Sequence, residues 1–129
     1  MRSINRVSLM GNLAADPEMR TTPTGKVVTS FALATNSDWR DSEGKRQRTT
    51  DFHRITAWQG LGTICGKNLK KGSAIYVEGR LHNHSYEDKN KSRHYVTEIN
   101  ADSVNFIRIK KEKEGDKVVL DDGEDEKEE

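Results

Sequence analysis

Apolar and polar residues alternate in run after run of this chain, and glycine, proline or Asx residues cut each run before it grows long. The clearest is Lys26 to Asn36, KVVTSFALATN, where Val27, Thr29, Phe31 and Leu33 alternate with Val28, Ser30, Ala32 and Ala34. A period of two carried by β-branched residues belongs to strands, not helices. Upstream, Ile4 to Met10 puts Val7 and Leu9 on one face and is expected to stop at Gly11-Asn12. Asp16-Pro17 and Pro23-Thr24-Gly25 are turn signals, because proline fixes φ and glycine accepts positive φ. Downstream, three further runs read as strands: Thr50 to Trp58, Ser73 to Ser85, and Tyr95 to Ala101 continued by Val104 to Ile107. The polar stretches RDSEGKRQR and EDKNKSR between them read as long charged hairpin loops.

Only between the third and fourth strands does the period change. Leu61, Ile64, Cys65 and Leu69 are spaced as one face of a short helix, which Gly60, Gly62 and Gly66 weaken. Lys70-Lys71-Gly72 then suits its C-terminal end, with cations at the negative end of the dipole and glycine as a cap. Five short strands with one helix between strands three and four describe an all-β, five-stranded Greek-key barrel of the OB type better than a sandwich, which needs more strands. Such a barrel binds oligomeric ligands across its middle strands.

Charge divides the chain. Residues 1–110 hold 18 Lys and Arg against 11 Asp and Glu, a surplus of +7, whereas residues 111–129 hold 4 against 10, a surplus of −6. The reading is therefore one basic globular domain over 1–110 and an acidic, disordered tail over 111–129, since Val118, Val119 and Leu120 are the only apolar residues past Lys110. A basic body asks for a polyanionic partner. The single Cys65 supplies neither an internal disulfide nor a structural zinc set and lies on the apolar stripe, where a core role fits better than a nucleophile. No apolar run suits a signal peptide or a membrane span, so a soluble cytoplasmic protein is expected. Nor is there a phosphate-cradling glycine loop, a spaced nucleophile and base, or a metal cluster, so neither an enzyme nor a cofactor is expected.

The third and fourth strands carry an unusual outward face. In TDFHRITAW, His53, Ile55 and Ala57 make one side while Phe52, Arg54, Thr56 and Trp58 make the other. In the fourth, Ile75, Val77, Gly79 and Leu81 suit a core, against Tyr76, Glu78, Arg80, His82, His84 and Tyr86. An ordinary strand gives water neither two aromatics nor an aromatic among cations. A single nucleic-acid strand offers flat bases to stack and phosphates to neutralise, and a protein that ignores sequence meets it with aromatics interleaved with Lys and Arg. Phe52 and Trp58 are about 20 Å apart along a strand, a span several nucleotides could cross.

The runs GNLAADPEMR, FALATN with the following Trp39-Arg40-Asp41, TDFHRITAW, LKKGSAIYVEGRL and YEDKNKSRHYVTEINAD closely resemble the bacterial single-stranded DNA-binding protein family, over about residues 1–107. The resemblance implies base stacking on Trp39, Phe52, Trp58 and Tyr86, all aromatic here, and phosphate contacts from Arg2, Arg6, Arg20, Arg54, Lys70 and Lys71. It implies a sequence-independent coat on exposed single strands in replication, recombination and repair, in the cytoplasm with the nucleoid. It also implies a homotetramer, with Ile4 to Leu9 as an intersubunit edge and His53 near the subunit contacts. Two departures stand out. His82, His84 and Ser85 replace the cations many relatives carry before the fourth aromatic, and the acidic tail, the element that would engage replication and repair proteins, ends DDGEDEKEE without the apolar tip of those relatives. The alternative reading is an OB module for RNA or a primosome-type partner.

Overall fold

A computed structural model describes residues 1–110 and, beyond them, only the two-residue strands Val118–Val119 and Asp125–Glu126, which pair antiparallel. The expected disorder of the tail otherwise falls outside the described residues. The six remaining strands are β1 (Val7–Leu13), β2 (Glu18–Thr21), β3 (Val27–Arg40), β4 (Arg46–Trp58), β5 (Ala74–Glu87) and β6 (Arg93–Arg108), with helix α1 (Gln59–Asn68) between β4 and β5. They form one sheet in the order β1-β5-β6-β4-β3-β2, and β1 also pairs with β3 at Asn12–Ala34 and Leu13–Leu33. That last pairing closes five strands into a barrel, with β2 left on the outside edge of β3. The architecture is the expected closed five-stranded barrel with one helix, and β2, which lies between the two turn signals and is exposed throughout, is the strand that alternation did not reveal. All pairings are antiparallel except β4 with β6, parallel at Ile55–Ile99 and Thr56–Asn100.

The two-residue period decides what the barrel encloses. Phe31, Leu33, Ile55, Ala57, Ile75, Val77 and Ile99 point inward with Leu13, and α1 covers one end with Cys65 and Leu69. Cys65 is fully buried, and burial pushes its thiol pKa up to about 12, which fits the core role. Gly72, with φ of +91°, serves the turn after the helix, where Ser73 N–H donates to Lys70 O at 3.0 Å, and it does not cap the helix itself. Leu69 closes α1 through its own N–H to Cys65 O at 3.0 Å.

β1 does not stop at Gly11-Asn12. It runs through them because Gly11 is where β1 crosses β3: a Cβ there would stand 2.2 Å from Ala34 O. Gly79 does the same job on β5, where a Cβ would meet Asn100 O at 2.2 Å, beside a register shift at Glu78/Gly79 that leaves Asp102 as an extra residue on β6.

The charged loops are shorter than expected, because pairing continues far past the core. β3 and β4 stay in register to Arg40–Arg46, leaving only Asp41–Lys45 as connection up to that last pair, and β5 and β6 to Glu87–Arg93 around a turn at Asp88–Ser92. Both turns are built alike, with the Asp41 or Asp88 Oδ1 accepting two backbone N–H groups and a positive-φ residue, Gly44 or Lys91, near the end. Two β-ribbon arms therefore stand off the barrel. Leu81, expected inside, is 49% exposed because the core has ended before β5 reaches it. Without a core, the arms rely on backbone ladders and surface pairs such as Arg48–Asp38 at 2.8 Å and Thr97–Asn83 at 2.7 Å, which competition from water keeps individually weak.

Replacing Gly79 by alanine forces the crossing of β5 and β6 to open against backbone. We expect a loss of about 3 kcal/mol in urea unfolding, in the upper part of the range for overpacking a fixed core; a loss below about 0.5 kcal/mol, the usual scale of a surface change, would contradict the crossing.

Candidate nucleic-acid interface

Because the core takes one parity of each strand, the other parity faces out and the pairing registers set it side by side. Across β3, β4, β6 and β5, one row runs Ser30, Thr56, Asn100, Arg80, and the next Ala32, Arg54, Glu98, His82. Trp58 opposite Val28 flanks these rows on one side, while Phe52 opposite Ala34 and Tyr86 opposite His94 flank them on the other. Small or polar residues thus lie in the middle with aromatics at the margins. The result is a groove of about 490 Å³ lined by Arg20, Arg54, Trp58, His82, His84 and Tyr86 among others. A second hollow of about 300 Å³ holds Phe52 and shares Ser30 and Arg54 with the first.

Three of the four expected stacking residues share this face and are open to solvent: Phe52 is 66% exposed, Trp58 42% and Tyr86 51%. Trp39 is also open but stands elsewhere. Its pleat parity is that of Leu33 and Phe31, so it lies on the reverse side of the β3–β4 arm, where its Nε1–H donates to Thr49 Oγ1 at 3.1 Å. Thr56 shares the outward parity yet is buried, its hydroxyl donating to Glu98 Oε2 at 3.1 Å. His53, on the inward side, has its Nε2 paired with Thr35 Oγ1 at 2.9 Å.

The expected cations divide likewise. Arg20 and Arg54 line the groove. Arg6 lines a different hollow with Arg80 and Glu78, ahead of β1, and Arg2 is exposed at the N-terminal end. Lys70 and Lys71 sit in the turn after α1, where the Lys71 N–H donates to Asp16 Oδ1 at 2.8 Å. Glu98, Val96 and His94 on β6 escaped the sequence reading, although the alternation in His94–Tyr95–Val96–Thr97–Glu98 carries the signal.

Glu98 lines the groove with a side chain only 12% exposed, its Oε2 3.7 Å from Arg54 Nε and 3.7 Å from His84 Nε2. The rings of His82 and His84 stack at 6.1 Å between centroids. On the β5–β6 arm, Tyr86 stacks on His94 at 5.2 Å, and His94 Nε2 in turn sits 2.6 Å from Asp88 Oδ2. One aromatic of the face is thereby braced through the turn that ends its own arm. Among the described residues there is no group of three or more His, Cys, Asp or Glu able to hold a metal ion, and no helix long and apolar enough to cross a membrane.

Residues 4–107 match the Single-strand binding protein family. The chain is 43% identical over 110 residues to Single-stranded DNA-binding protein 1 of Chlorobaculum tepidum, covering 84% of this chain and 68% of that one. Among solved structures it is similar to the Plasmodium falciparum SSB in complex with ssDNA, with a TM-score of 0.75 and 31% identity over 83% of this chain and 97% of that one. It is also similar to a deletion mutant of the single-stranded DNA binding protein from Thermus aquaticus, with a TM-score of 0.71 and 28% identity over 81% of this chain and 51% of that one.

The Asp88 carboxyl is held below its ordinary value of 3.8, first by the His94 contact and then by the Ser92 amide. A depressed carboxylate contributes its stabilisation in full above that ordinary value and loses it as pH falls through the lowered one. In an acid titration followed by NMR, the Asn90 and Ser92 amides should move with a midpoint below 3.8; a midpoint at or above 3.8, or the same movement in Asp88→Asn, would contradict the turn.

Proposed function

The chain belongs to the single-strand binding protein family, and from that premise we propose that it binds single-stranded DNA irrespective of sequence, coating and protecting it, with no bond made or broken. The observation that carries this reading is the outward face on which Phe52, Trp58 and Tyr86 stay exposed around Arg20 and Arg54. Burying a large ring is normally favourable by about 1.5–3 kcal/mol, so three left open on one face need a partner. Bases supply it: stacking is worth about 1–3 kcal/mol per aromatic and does not depend on which base is stacked.

In this reading Phe52, Trp58 and Tyr86 stack bases along the groove, and Trp39 takes a base on the other side of its arm as the strand passes round. Arg20 and Arg54 neutralise phosphate in the groove, while Arg2, Arg6, Lys70 and Lys71 extend the positive path to either side. Binding therefore releases counterions and weakens as salt rises. Single-stranded DNA made in replication, recombination and repair, in the cytoplasm with the nucleoid, is the ligand this serves, and the acidic segment past residue 110 is the part of the chain that would meet proteins of those processes.

A homotetramer fits as well. β1 pairs with β3 only at Asn12 and Leu13, so Val7 to Gly11 have ladder partners on β5 alone, and Ile4 and Met10 nearby are 91% and 66% exposed. A second copy adding a strand along that edge would satisfy both.

Tryptophan fluorescence tests the reading, since Trp39 and Trp58 are the only indoles. Oligo(dT) should quench strongly and more than duplex DNA or oligo(U). Salt should weaken the effect, and Phe52→Ala should cost about 1–3 kcal/mol of affinity. Equal binding to duplex, or an unchanged Phe52→Ala affinity, would contradict it.

A further inference from the structure

Tyr86 stands next to last on β5, on a ribbon that has left the barrel core behind. An exposed ring in such a place has rotamer freedom to lose when a base lands on it, and that loss is subtracted from the gain of stacking. Phe52 and Trp58 differ, since they bracket the stretch of β4 that carries the core residues Ile55 and Ala57.

The residue opposite Tyr86 removes that freedom beforehand. His94 pairs with it across the ribbon, and the two rings stack at 5.2 Å between centroids and 23° between planes, inside the range that aromatic pairs prefer. The imidazole is anchored in turn, with Nε2 at 2.6 Å from Asp88 Oδ2. A carboxylate only accepts, so the Nε2–H donates and sets the orientation of the ring. Asp88 is held as well, because its Oδ1 accepts the Asn90 and Ser92 N–H groups at 2.8 and 3.0 Å. Contacts therefore run unbroken from the turn through a carboxylate and an imidazole to the tyrosine. His94 covers one face of Tyr86, yet the tyrosine is still 51% exposed, so a base has room to stack.

On the single-strand reading above, we propose that His94, anchored by Asp88, is a positioning residue that sets the Tyr86 ring before the strand arrives. Part of what Tyr86 contributes to affinity then depends on His94. Tyr86 and Val96 line the groove and His94 does not, which fits action through the tyrosine rather than on the strand itself.

The test is a double-mutant cycle on the full chain, reading affinity for oligo(dT) at one salt concentration by tryptophan quenching, with thermal unfolding to check that each variant folds. His94→Ala should weaken binding about three- to tenfold, the scale of one side chain that must be ordered on binding. The same change should cost less than about twofold once Tyr86→Ala is present, because the residue it acts through is gone. His94→Phe returns a ring to the stack and should recover part of the loss. In the free protein, the Tyr86 ring protons should move downfield in His94→Ala as the stacked imidazole is removed. An unchanged affinity in His94→Ala, an equal loss with and without the Tyr86 ring, a His94→Phe affinity no better than that of His94→Ala, or unmoved Tyr86 signals would each overturn the proposal. Those results would leave the single-strand reading standing; absence of oligo(dT) binding by the unaltered chain would overturn that reading and the proposal with it.

Discussion

The period of two along each strand is the constraint on which the rest of this structure depends. Closing β1 onto β3 makes an interior large enough for only one parity of side chains, and that interior takes Leu33, Ile55, Ile75 and Val77. Everything of the other parity is committed to the outside. Phe52, Arg54, Thr56 and Trp58 cannot turn inward without expelling Ile55 and Ala57, so the outward aromatics are fixed by the same packing that fixes the core. A functional face of this kind needs no loop to hold it.

The arms follow from the same ladders carried beyond the core. Past Leu33 and Ile99 the strands keep their hydrogen bonds but lose their apolar cover, and the side-chain pairs that remain are exposed and individually weak. Such ribbons open at lower free energy than the barrel. Trp39 and Tyr86 stand on these ribbons, one on each, whereas Phe52 and Trp58 bracket the stretch of β4 that carries Arg54 and Thr56. A rigid floor with two softer flanks suits a ligand whose path is long and whose sequence is not fixed in advance.

Much of this was legible in the residues. Alternation in KVVTSFALATN and TDFHRITAW gave the core and the outward face together, and Leu61, Ile64, Cys65 and Leu69 located the helix. What escaped was whatever depends on two strands at once. Gly11 looked like a stop because glycine most often punctuates, and only the proximity of Ala34 O shows that it is a crossing. The polar hairpins looked like loops because nothing apolar marks a strand without a core. The extra residue at Asp102 breaks the parity of β6, so the run Val104 to Ile107 gives no guide to Glu98 and His94, whose own local alternation was passed over. Trp39 joined the other aromatics through the family resemblance, and its parity sets it on the reverse of the arm.

The central claim is that the outward parity of β4 and β5 is the surface on which bases stack. Photo-crosslinking of a single strand carrying 5-iodocytosine, followed by peptide mapping, addresses it directly. The account predicts adducts at Phe52, Trp58 and Tyr86, with Trp39 joining them on the longer strands that can round the arm. Adducts confined to the N-terminal residues and β1, with those aromatics unmodified, would contradict it.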